Sequence, residues 1–335
     1  MSLHSDPGYV SPVHSAFVRA TSAAEKAMGE LAAQGQQWKE EYITTEFCKT
    51  LVPEVRYTEF SRTQEGRVGA DYIWWWVDRS GLCFGCLVQA KALKKRGAKW
   101  KIGSDSPRKT GDQMERLFRA ADIFSIPAGY MLYAGDPAYR ADMRCSYTQH
   151  DGVPCHLREG AGITLIPALA VQQDVRTEAL RATAPARKLP FLPETDALDA
   201  FHQAIPLIRL TDPDPCKSIL SHRALRFDGN QHDLRRFLAT DQIGAAKVAR
   251  LIFDVVGKIA SGQYETMTRP AVADPTPATV FSSYPGARGH FGTPYFPHVF
   301  QGLRTQLPEY VERCLNGDVP PEVAEHADGI VVAPL

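Results

Sequence analysis

The run Gly69-Ala70-Asp71-Tyr72-Ile73-Trp74-Trp75-Trp76-Val77 places three tryptophans in succession. In a strand, neighbouring side chains point to opposite faces, so three adjacent indoles require apolar cover on both sides. A second apolar run, Leu82–Leu93, follows after Asp78-Arg79-Ser80-Gly81-Leu82. That spacing predicts a hairpin with a three-residue loop, in which Gly81 takes the positive φ that such a loop demands. Asp78 then faces Leu82, and paired residue numbers sum to 160 along the ladder. Trp75 falls over Gly85, a large side chain against none. Asp71 falls opposite Gln89, with Lys91 on the same face two residues further. A slip of one residue would undo every one of these pairings.

A carboxylate, an amide and an amine thus gather at the end of a hairpin that is otherwise apolar on both faces. Buried charges there must be paired or hold a ligand, because isolated ones cost several kcal/mol. An Asp71–Lys91 ion pair closing the sheet is one reading. The preceding helix offers another. In Lys39-Glu40-Glu41-Tyr42-Ile43-Thr44-Thr45-Glu46-Phe47, a helical period gives Ile43, Phe47 and Leu51 one apolar face. Glu40 falls near the centre of that face with Thr44 beside it, Glu41 at its edge, and Glu46 well away. An acid on a core-facing stripe is either salt-bridged, for instance to Lys91, or a second carboxylate delivered to the site of Asp71.

The rest of the chain bounds the fold. Residues 1–20 read as a loose lead-in, and Ser22–Leu51 as one or two helices ended by Pro53. Thr110–Phe124 reads as a helix with Met114, Leu117, Phe118 and Ala121 on one stripe. Ala128–Ala134 and Gly162–Val171 read as strands, and residues 178–195 as a connector. Beyond it, Val248, Leu251, Ile252, Val255, Val256 and Ile259 mark an amphipathic helix stopping before Gly262. Residues 270–297, with six prolines, read as an irregular loop, and Gly329–Val332 as a last short strand. The expectation is a mixed α/β (α+β) sheet protein. Residues 20–177 form its core and 196–335 a mostly helical C-terminal region for substrate choice, dimerisation or partner docking.

Glu-x-x-Ile-Thr on an early helix, Gly-Ala-Asp on a strand and Gln-Ala-Lys on its hairpin partner resemble the PD-(D/E)XK nuclease superfamily. The resemblance extends to a bacterial branch of unknown function with tryptophan-rich Gly-Ala-Asp strands. It covers roughly residues 30–170 and implies a restriction-endonuclease-like core and metal-dependent phosphodiester hydrolysis. Asp71 and Glu40 (or Glu41) would hold Mg²⁺ (or Mn²⁺) through oxygen, with the Ala90 carbonyl as a further ligand. Lys91 would orient the attacking water and offset transition-state charge. The same resemblance implies DNA as substrate (RNA as an alternative), 5′-phosphate products, and a cytoplasmic setting in anti-phage defence with a partner protein or a second copy. Gln89 departs from the commoner Asp or Glu. An amide ligates through oxygen without bringing charge, so a catalytically silent module binding nucleic acid or a protein is the competing reading.

Charge decides where a polyanion would sit. With 38 basic and 38 acidic residues the chain carries no bulk positive charge, so any such site must be a local patch. The stretch from Lys91 to Lys109 supplies one: Lys94, Lys95, Arg96, Lys99, Lys101, Arg108 and Lys109, with Trp100 interleaved and Asp105 as the sole acid. A solvated basic loop is the plainer alternative. Gln113, opening the next helix, is where related nucleases often place a glutamine facing the site, and an exposed helix-start glutamine is the other reading. No stretch is apolar enough to cross a membrane, and the first residues lack a signal pattern. The seven cysteines do not form a disulfide framework. Cys83 and Cys86, three apart on a strand, point to opposite faces and cannot share a metal. Cys145, His150, Cys155 and His156 match no common zinc spacing, and Pro285–His290 lacks a phosphate-loop ending.

Overall fold

A computed structural model describes residues 11–36, 38–60, 69–97, 99–102, 113–143, 155, 158, 160–171, 203–216, 225–226, 232–259, 280, 288–289 and 299–335. The chain opens with helices α1 (Pro12–Ala33) and α2 (Glu40–Leu51). Strands β1 (Arg56–Glu59), β2 (Tyr72–Val77), β3 (Cys83–Arg96) and β4 (Lys99–Ile102) follow, then helix α3 (Gln113–Phe124) and strand β5 (Ala128–Tyr133). Next come α4 (Pro137–Asp142), β6 (Ile163–Pro167), β7 (Ile205–Pro206), α5 (Ile208–Thr211), β8 (Leu225–Arg226), α6 (His232–Ala239) and α7 (Gly244–Ile259). The chain finishes with β9 (Arg288–Gly289), β10 (Leu303–Arg304), α8 (Glu309–Leu315), α9 (Pro321–Ala324) and β11 (Gly329–Pro334).

Among the described residues nine strands form one mixed sheet, ordered β1-β11-β2-β3-β5-β6-β7, with β4 and β10 also paired to β3. β3 runs antiparallel to β2 and parallel to β5, while β11 runs parallel to β2. The architecture is the expected α+β one. No helix among the described residues is long and apolar enough to cross a membrane.

The β2–β3 ladder has the register set by its turn, from Tyr72 opposite Val88 to Val77 opposite Cys83. Asp78 N–H donates to the Leu82 carbonyl at 2.9 Å, and Gly81 sits at φ +87°. Trp74 packs beneath the two N-terminal helices, its ring centroid 6.0 Å from Phe17 and 6.3 Å from Phe47. Trp75 turns to the other face, beside Tyr310 and under the Arg304 guanidinium. Trp76 stacks on Trp74 at 5.6 Å. A Cβ at Gly85 would come within 2.7 Å of two Trp75 ring atoms, and that ring is fully buried. Gly85→Ala should therefore lower stability by about 1–3 kcal/mol, read as a lower urea midpoint at unchanged slope. A midpoint equal to wild type would show that the indole has room to move.

Several boundaries differ from the sequence reading. The lead-in is helical from Pro12: Ser11 caps the His14 N–H, and Ala16, Phe17, Ala20 and Ala24 are buried. The strand read over Gly162–Val171 stops at Pro167, and residues 168–171 turn helical. The C-terminal region also contributes to the sheet. α7 packs on β2, β3 and β6, β10 pairs with β3, and β11 lies inside the sheet between β1 and β2. The connector at 178–195 lies outside the described residues, as does the 270–297 loop apart from Val280 and Arg288–Gly289.

Candidate active site

β2 begins at Tyr72, whereas β3 runs on past Val88 to Arg96. The Asp71 N–H makes the last rung, to the Val88 carbonyl at 2.9 Å. Further along β3, side-chain carboxylates take over the work of a strand partner. Asp71 Oδ2 accepts the Ala90 N–H at 2.6 Å and the Gln89 amide at 2.7 Å. Glu40 Oε1, from the first residue of α2, accepts the Ala92 N–H at 3.1 Å. The N–H and C=O of one extended residue project the same way, so the Ala90 carbonyl opens on the same edge, between the two acids.

Glu40 is held there by its own helix. Thr44 Oγ1 donates to the Glu40 carbonyl at 2.9 Å and lies 2.6 Å from the buried Tyr133 hydroxyl at the end of β5. With the Thr44 proton so committed, Tyr133 is the donor of that second bond. Glu41 points into solvent, so the helix acid at the strand is Glu40. Lys91 and Gln89 are buried on the opposite face from the N-terminal helices. Lys91 Nζ donates to Gln113 Oε1 at the first turn of α3, which ties that helix to the site.

Burial holds the Asp71 carboxyl up at about 7, against an ordinary 3.8. The Ala90 N–H, the Lys91 charge and the Gln89 amide pull it down, and the neighbouring Asp328 carboxylate pushes it up. Asp328 N–H donates to the Asp71 carbonyl at 3.1 Å, one rung before β11 joins β2. The sequence reading did not include Asp328, Thr44's partner Tyr133 or the pairing that brings them in. Nothing local in the sequence signals a parallel strand contributed from so far along the chain.

The donor set suits a hard divalent cation. Asp71 Oδ1 and Glu40 Oε2 accept no hydrogen bond from a described residue, and the Ala90 carbonyl stands between them. Two carboxylates with a carbonyl and water are enough for Mg²⁺, which keeps much of its hydration. Among the described residues no group of three or more His, Cys, Asp or Glu side chains is placed to hold a metal. A soft-metal site is thus not offered here. Cys83 and Cys86 are both buried thiols, and burial raises both, Cys83 to about 12. Of the four residues at 145–156 considered for zinc, only Cys155 is described.

The basic run divides. Lys95 and Lys99 are exposed and Lys101 is half-buried, whereas Arg108 and Lys109 lie outside the described residues. Lys94 and Arg96 hold backbone positions in β3. Trp100 is not interleaved with the cations as an exposed ring. It is buried against Tyr139 at 5.6 Å and donates to Asp142 Oδ2 at 3.3 Å.

Fold and site together define an α+β protein with two carboxylates, a backbone carbonyl and a buried lysine along the edge of a central strand. The chain belongs to DUF6615, a family of unknown function, whose model matches residues 14–333. No curated protein and no solved structure matches the chain.

Proposed function

We propose that the protein is a Mg²⁺-dependent nuclease that hydrolyses phosphodiester bonds of DNA. The observation that carries this reading is the edge of β3, where Asp71 and Glu40 each spend one oxygen on backbone N–H groups of Ala90 and Ala92. Each keeps its second oxygen for a cation beside the Ala90 carbonyl. When bound, Mg²⁺ would polarise the scissile phosphate and acidify a water in its shell. Gln89 fixes the Asp71 carboxyl by its amide N–H. Lys91, oriented by Gln113, supplies positive charge for the developing charge on the phosphate and a donor to the attacking water. The resemblance to PD-(D/E)XK enzymes supports the same assignment, and an anti-phage role with a partner protein or a second copy follows from it as a setting.

Incubation of supercoiled plasmid with the protein and Mg²⁺ or Mn²⁺ tests the reading. Nicking should require the metal, leave 5′-phosphate ends, and vanish in Asp71→Ala and Lys91→Ala. Absence of nicking with either ion, or nicking undiminished in both variants, would sink the enzyme assignment and favour a silent binding module. Cleavage of RNA alone would replace DNA as the substrate.

A further inference from the structure

Helix α2 brings Glu40 to the site on its least supported end. Glu40 is the first residue of the helix, Lys39 before it offers no side-chain cap, and residues 32–36 leading towards it are exposed. A helix start of this kind frays unless something else fixes it. Two bonds do so here, and both come from one rung of the sheet. Ala92 of β3 and Tyr133 of β5 are paired residues. The Ala92 N–H, on the edge of β3 that faces the site, donates to Glu40 Oε1 at 3.1 Å. The Tyr133 hydroxyl, 2.6 Å from Thr44 Oγ1, grips the other end of the same helical turn. Thr44 in turn donates to the Glu40 carbonyl at 2.9 Å. The side chain and the main chain of Glu40 are thus tied to a single rung.

Packing alone does not ask for these hydroxyls. Thr44 and Tyr133 are buried, and so are Ile43 and Phe47 on the same helix face. A buried hydroxyl must find a partner, whereas a valine facing a phenylalanine would fill the space at little or no cost in stability. What the polar pair adds is direction, since it fixes the height of the first turn of α2 above β3. We propose that Tyr133 is a positioning residue for the cation site, acting through Thr44 to hold Glu40 Oε2 near Asp71 Oδ1 and the Ala90 carbonyl. The inference rests on the cation site of the nuclease reading and adds to it a supporting residue from β5. Groups that stand behind metal ligands typically contribute about 10- to 100-fold in affinity. Tyr133 acts one bond further back, on the main chain of Glu40, so a loss of about 10-fold is expected.

The test measures Mn²⁺ binding to the full chain without nucleic acid, read as loss of the free-ion electron paramagnetic resonance signal. The ion at this site is the one whose binding Asp71→Ala abolishes. Tyr133→Phe and the double variant Thr44→Val/Tyr133→Phe should each bind it about 10-fold more weakly, and equally, because the two hydroxyls form one connection. Thr44→Ser keeps the hydroxyl and should bind as wild type does. So should Tyr72→Phe, which removes a hydroxyl bonded to Glu59. The double variant should unfold at the wild-type temperature, yet in metal-free protein its Ala92 amide should lose protection from hydrogen exchange. If it fails to fold, Tyr133→Phe alone decides. Unchanged Mn²⁺ affinity in folded Tyr133→Phe, or an equal loss in Tyr72→Phe, would overturn the proposal and leave the nuclease reading standing. Wild type without any Asp71-dependent Mn²⁺ would overturn both. Weaker binding in Tyr133→Phe, with no nicking by wild type under any metal, keeps the positioning role and removes the nuclease.

Discussion

Asp71→Asn should make the protein more stable and leave it without activity. The carboxyl sits at about 7 because burial disfavours its charged form. The native state thus keeps a proton that the unfolded chain releases near 3.8, so the contribution of this group to stability is greatest below pH 4 and is lost as pH rises towards 7. Asparagine retains an acceptor for the Ala90 N–H and does not titrate. Its gain in melting temperature should be absent at pH 4, grow through pH 5 and 6, and level off above 7. Nicking should fall more than about a hundredfold, since even outer-shell changes at metal sites cost 10- to 100-fold. Mg²⁺ separates the two proteins further. At ten times its dissociation constant it should stabilise wild type by about 1.4 kcal/mol and the variant hardly at all. A variant no more stable than wild type at pH 8 would mean that Asp71 is ionised at no cost. That outcome would remove the electrostatic strain attributed to the site.

The second large effect lies in α7, away from the chemistry. Arg250 is fully buried, its Nε donates to Asp254 Oδ1 at 2.8 Å, and its Nη1 donates to the Leu238 carbonyl. Asp254→Ala removes the ion-pair carboxylate from a guanidinium buried in the core. The expected loss is about 3–5 kcal/mol, read from the urea midpoint. Replacing both partners with apolar groups of similar size, Arg250→Met/Asp254→Leu, should recover most of that loss, because the cost comes from a buried charge that has lost its counter-ion. A double variant as unstable as the single would instead point to the Arg250 bonds to α6 as the main contribution.

The part of the site on the hairpin was legible because strand alternation and a glycine turn leave little freedom. Gly81 sets the loop, the loop sets the register, and the register puts Asp71 beside Gln89 and Trp75 over Gly85. Helical phase likewise singled out Glu40 over Glu46, and burial in the fold separated Glu40 from Glu41. What escaped were relations that leave no periodic trace. A parallel neighbour such as β11 is chosen by the whole topology and not by its own residues, so Asp328 was invisible beside Asp71. Trp100 illustrates the opposite failure. An aromatic among lysines suggests stacking on a base, yet the β3–β4 ribbon needed an anchor on α4. The opening of α1 fell within the stretch read as a loose lead-in, although Pro12 sits at a first helical turn, where proline starts a helix.

The position of β11 has a consequence for the order of assembly. Among the described residues β1 joins the sheet through β11, and β2 meets β11 from Ile73 to Val77. During synthesis, β1 and one edge of β2 therefore wait unpaired until nearly all of the family region has emerged. Closure over such a sequence separation is slow by nature. Only then does the Asp328 N–H reach the carbonyl of Asp71. A strand made long after Asp71 completes its setting, so a partly synthesised chain carries the residues of the site without its finished geometry.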